Sequence, residues 1–119
     1  MTAKLYGITL DCPDPAVLGT FYGALTNLKE TYASDAYVGL GGEGGPAIGF
    51  QRVEGFTPPK WPTQEVPAQL HLDFAVDDLD SAEAKAIELG ATRAEPQPQP
   101  DRWRVLLDPA GHPFCLCKM

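Results

Sequence analysis

A chain of 119 residues with 44% hydrophobic and 21% charged side chains has the composition of a globular protein and enough length for one domain with its own core. Sixteen Asp and Glu against nine Lys and Arg leave a net charge of −7, which excludes the basic face of a nucleic-acid binder and disfavours anionic membrane surfaces. Three cysteines make no disulfide framework, "MTAKLYGITLDCPDP" shows no leader pattern, and no run approaches the roughly 20 apolar residues of a membrane span, so the expectation is a reduced, cytoplasmic protein.

In chain order, "GITLDC" (7–12) alternates apolar and polar residues as a strand does. Asp14 followed by Pro15 predicts a helix N-cap with proline at the first helical position, and Leu18, Phe21, Tyr22 and Leu25 keep helical spacing. "AYVGLGG" (36–42) and "GGPAIGFQRV" (44–53) read as strands. "GGEGG" (41–45) between them resembles a phosphate cradle, but no Lys-Ser/Thr follows and no helix opens, so it reads as a flexible hairpin loop. "EGFTPPKWPTQEVPA" (54–68) carries four prolines and no periodicity, which predicts a linker or a surface loop.

The second half begins with "QLHLDFAVDDLD" (69–80), a strand running into an acidic helix start capped by Asp78 or Asp80. Ala82, Ala86 and Leu89 continue the helix to Gly90. "EPQPQPD" (95–101) predicts a stiff extended connection, with a lid over a pocket as the alternative. "RWRVLLD" (102–108) and "AGHPFCLCKM" (110–119) are the closing strands, with His112 in a tight turn where Gly111 supplies the unusual backbone angle.

The halves repeat. "GITLDCPDPAVLGTFYGAL" lies over "HLDFAVDDLDSAEAKAIEL" at an offset of 71 − 7 = 64, and "GGPAIGFQRV" over "AGHPFCLCKM" at 115 − 49 = 66. Each half is strand, helix and about three strands. The predicted class is therefore α+β, two tandem βαβββ modules at about 4–53 and 69–119, joined by the segment 54–68.

Strand parity sorts the side chains. Ile8, Leu10, Cys12, Ile48 and Phe50, with Leu72, Phe74, Val76, Phe114 and Leu116, make an apolar layer under the helices. The opposite face carries Gly7, Thr9, Asp11, Gly49, Gln51, His71, Asp73, Ala75, Cys115 and Cys117, a small and polar set suited to a ligand cavity.

The two βαβββ halves, the acidic turn before each helix, "HLDFAVDDLDSAEAKAIELGA" and "LLDPAGHPFCLC" resemble the vicinal oxygen chelate superfamily: glyoxalase I, extradiol dioxygenases and bleomycin-resistance proteins. The resemblance covers nearly the whole chain. It implies curved sheets enclosing a cavity in a single domain over 1–119, a homodimer, and in the enzymes four metal ligands, which fall on Gly7, Gly49, His71 and Cys115. Glyoxalase-type members would carry His or Gln, Glu, His and Glu there, so only His71 matches. No metal cofactor is expected.

His71 has three open roles: metal ligand, general base, or hydrogen-bonding group in a polar pocket, the last being preferred. Asp11, Gln51 and Asp73 share its face but sit one step deeper along their strands. Asp11 and Asp73 are read as structural carboxylates rather than general bases. Cys115 and Cys117 point the same way at a Cα separation of about 6.5–7 Å, which strains a disulfide, so they are read as free thiols. Trp61, Trp103, Tyr37, Phe56 and Arg104 are placed near the cavity mouth, as stacking and anion-pairing groups or as packing residues.

The ligand-binding set is thus Thr9, Asp11, Gln51, Tyr37, Trp61, His71, Asp73, Trp103, Arg104, Cys115 and Cys117. The leading functional expectation is a metal-independent small-molecule binding protein with a partly aromatic ligand, and no catalytic residue is assigned. The alternatives are a metal-dependent lyase or isomerase of the glyoxalase type and an accessory dimeric protein with a vestigial cavity.

Overall fold

Asp14 is where the first strand gives way to the first helix. Its backbone is extended, at φ −142°, and its side chain accepts the Ala16 amide at 3.1 Å, satisfying one of the amides a helix start leaves free. Helix α1 (Pro15–Thr26) runs from there to Asn27, which ends it in the left-handed conformation at φ 62°. Its inner face buries Leu18, Phe21 and Tyr22. Gly19 lies so close to Val38 that a Cβ there would come within 2.6 Å of the valine Cγ1.

The computed structural model describes residues 2–42 and 44–119, so Glu43 of the predicted hairpin loop lies outside the described residues. Around α1 stand β1 (Gly7–Cys12), β2 (Lys29–Ala33), β3 (Tyr37–Gly41) and β4 (Ala47–Arg52), in the sheet order β1-β4-β3-β2. Strands β1 and β4 run parallel, with Thr9 opposite Gly49 and Asp11 opposite Gln51. Leu10, Cys12, Val38, Leu40, Ile48 and Phe50 are buried on the helix side, where the Tyr22 ring stacks on Phe50 at a centroid distance of 5.4 Å.

The second module repeats the plan. Strand β5 (Leu72–Val76) leads into α2 (Leu79–Leu89), then β6 (Thr92–Arg93), β7 (Trp103–Leu107) and β8 (Pro113–Lys118), in the order β5-β8-β7-β6. Asp78, not Asp80, is the helix cap, and it accepts the Asp80 amide at 3.0 Å. Gly90 closes the helix at φ 125°, a conformation that costs glycine little. Phe114, Leu116 and Leu106 are buried on the helix side, with Phe74 edge-on to Phe114 at 5.9 Å. The architecture is α+β with two similar βαβββ modules, as the repeat predicts.

The chain divides into compact units Met1–Phe56 and Thr57–Met119. Of the segment read as a linker or a surface loop, residues 57–68 fall in the second compact unit and 54–56 in the first. Within the second unit the Lys60 amide donates to the Val66 carbonyl at 2.8 Å, Lys60 pairs with Glu65 at 3.0 Å, and Pro58 sits against Gly111. Trp61 packs against the cluster of Ala94, Val105 and Cys115, and burial of its indole gives the segment an apolar reason to adhere.

At the closing turn Gly111 takes φ 93°, and the buried Asp108 carboxylate accepts the Ala110 and His112 amides at 2.8 and 3.0 Å. Among the described residues no helix is long and apolar enough to cross a membrane.

Candidate functional site

The face of the second sheet turned away from α2 is built by alternation. Asp73 pairs with Cys115, Cys115 with Val105, and Cys117 with Trp103, so these five side chains share one side. Trp61 comes in from the proline-rich segment and Pro98 from the loop 95–101. Together with His71 and Pro113 they line a pocket of about 340 Å³, within the usual range for a small-molecule site. Its floor is more apolar than the sequence suggested, because β7 contributes Trp103 and Val105 beside the buried Cys115.

His71 Nε2 lies 3.2 Å from Asp73 Oδ1 at the exposed side of the pocket. Flexible side chains two residues apart on one strand face thus close the step that had seemed to separate them. His71, Asp73 and Cys115 each bring a donor atom, all within 4.8 Å of one another. Burial, the Asp73 charge, Cys117 and a hydrogen bond to Asp73 push the Cys115 thiol up to about 12. Cys117 is raised too, first by burial and then by Asp73. Both are therefore protonated at neutral pH and poor nucleophiles.

Six of the predicted site residues converge on this pocket: Trp61, His71, Asp73, Trp103, Cys115 and Cys117. Thr9, Asp11, Gln51 and Tyr37 share the corresponding face of the first sheet. Arg104 does not belong to the pocket face. It lies opposite Leu116 on the helix side of β7, where it bonds Asp80 at 3.0 Å and Glu83 at 3.1 Å. Those partners raise its pKa, Asp80 most, against the opposing effect of desolvation. Applying strand parity to "RWRVLL" would have separated Arg104 from Trp103 and found Val105, and the same parity on β8 would have added Pro113, two wall residues that sequence reasoning missed. Pro98 carried no such signal.

The family's metal set does not fit this chain. Gly7 and Gly49 offer no donor, and a Cβ on Gly49 would collide with the Tyr37 hydroxyl and ring. The tyrosine thus occupies the space through which a side chain at that position would leave the sheet. The remaining trio of imidazole, carboxylate and protonated thiol differs from the oxygen-rich set of a glyoxalase-type centre, and the thiol must lose its proton to bind.

Two outcomes follow. Gly49→Ala loses about 1–3 kcal/mol by overpacking against Tyr37. Combined with Tyr37→Ala it costs less than the two single losses summed, measured by urea unfolding; strict additivity would contradict the contact. The raised Cys115 pKa gives the second. The unfolded chain releases this proton first, so the contribution is present below about pH 9 and is lost as pH rises toward 12. Unfolding curves across that window should show a shallower decline for Cys115→Ala than for the wild type, and equal slopes would contradict the assignment.

The description "Glyoxalase-like domain" matches residues 7–117. A glyoxalase/bleomycin resistance protein/dioxygenase family enzyme from Burkholderia phytofirmans is similar at 24% identity over 98% of both chains, with a TM-score of 0.74. The fosfomycin resistance protein FosX from Mesorhizobium loti is similar at 20% identity over 98% of this chain and 92% of its own, TM-score 0.72. The trypanothione-dependent glyoxalase I of Leishmania major is similar at 18% identity over 98% and 87%, TM-score 0.71. No curated protein sequence matches significantly. With the family match spanning nearly the whole chain and the tandem βαβββ modules in place, this protein belongs to the glyoxalase-like domain family.

Proposed function

We propose that this chain is a small-molecule binding protein whose ligand sits in the second module's pocket without the family's metal centre. The observation that carries the reading is the pocket itself. Both tryptophans of the chain line it beside a His71–Asp73 pair, while two of the four family ligand positions are glycines. Indole faces and proline walls offer stacking and apolar contact, and a few polar groups fix orientation. Neither thiol is poised for nucleophilic attack, which favours binding over covalent chemistry.

A metal-dependent lyase or isomerase is the second reading, favoured by the three donors of His71, Asp73 and Cys115 within 4.8 Å. Tryptophan fluorescence separates the two, since both reporters lie in the pocket. Titration with neutral flat heterocycles should quench the wild type whether or not a chelator is present. His71→Ala should weaken that binding several-fold, and the melting temperature of both this variant and the wild type should be indifferent to chelator. A chelator-induced drop in the wild-type melting temperature that disappears in His71→Ala would favour the second reading.

A further inference from the structure

The charge inside the pocket is one-sided. Asp73 is the carboxylate in its lining, and among the described residues no Lys or Arg lines it. Of the cations close in sequence to the lining, Arg104 pairs with Leu116 and Lys118 with Val76, both on the helix side of their strands, and Lys60 is paired with Glu65 at 3.0 Å. Arg104 is held on the helix side by Asp80 and Glu83. Arg102, beside Trp103, lines a neighbouring hollow with Cys117 and Lys118. Asp73 Oδ1 lies 3.2 Å from the imidazole of His71, which fixes the carboxylate at the pocket edge while 61% of its side chain stays accessible. Trp61 and Trp103 add the aromatic faces to which cations are drawn most strongly.

We propose that this pocket selects an organic cation, a flat ring system whose positive charge meets Asp73 while the ring stacks on Trp61 or Trp103. The inference rests on the reading of the pocket as a small-molecule site and names the ligand's class. A carboxylate and an indole face favour the same charge, so their contributions reinforce each other. An anionic ligand would meet Asp73 with no Lys or Arg among the described lining residues to offset it.

The test is isothermal titration of the full chain at pH 8 in about 0.15 M salt, where long-range charge is screened. The probes are N-methylquinolinium, its neutral analogue quinoline and the anion quinaldate. N-methylquinolinium should bind about ten-fold more tightly than quinoline, with quinaldate weakest. Asp73→Asn should narrow the gap between N-methylquinolinium and quinoline to the part the indoles supply, whereas Trp103→Ala should weaken both.

Quinoline binding as tightly as the cation would overturn the inference and leave the binding-protein reading standing. A preference undiminished by Asp73→Asn would also overturn it, since the carboxylate would then contribute nothing to the selectivity. If none of the three probes binds, the inference and the functional reading fall together.

Discussion

In a β-strand successive side chains point to opposite faces, and each module commits one of those faces to its helix. That division governs what the other face can be. Once Phe114, Leu116 and Leu106 are buried beneath α2, Asp73, Cys115, Cys117, Val105 and Trp103 must stand together on the far side. The same parity sends Arg104 to Glu83 and Asp80, where its charge joins an ion-pair network with Arg93 instead of facing a ligand. A pocket that is acidic and aromatic is thus a consequence of register as much as of composition.

The loops complete what the strands begin. Gln97 inserts its carboxamide beside β7, donating to the Ala94 and Val105 carbonyls at 2.7 Å and accepting the Val105 amide at 2.9 Å. Arg104 bonds the Pro100 carbonyl from the other side of the strand. Pro98 lies between these two anchors and forms a wall of the pocket. Trp61 provides a second wall from the segment that precedes β5.

Most of the architecture was legible because the signals are local. Alternation, an aspartate cap before proline, and a glycine at a helix end each specify backbone geometry within a few residues. The internal repeat then supplied topology that local signals lack. What escaped depends on contacts distant in sequence. The 54–68 stretch looked like a linker because its only strongly apolar groups are scattered, and nothing local says that Trp61 finds Val105 and Cys115. Asp73 was set too far from His71 because backbone spacing ignores side-chain reach. Tyr37 was left open between a stacking group near the cavity mouth and a packing residue, and its ring lies over Gly49, a pairing made by strand register that neither residue announces alone.

The Tyr37–Gly49 contact separates this chain from a metal-dependent relative in physical terms. Metal affinity comes from several donors meeting one ion, and a glycine beneath a tyrosine ring removes one donor and fills its space. Gly7 removes another. The direct measurement is elemental analysis by mass spectrometry of untagged protein purified without added metal or chelator. Zinc, nickel and manganese should all be substoichiometric and unchanged in His71→Ala. One equivalent of a single metal per chain, lost in His71→Ala, would contradict it.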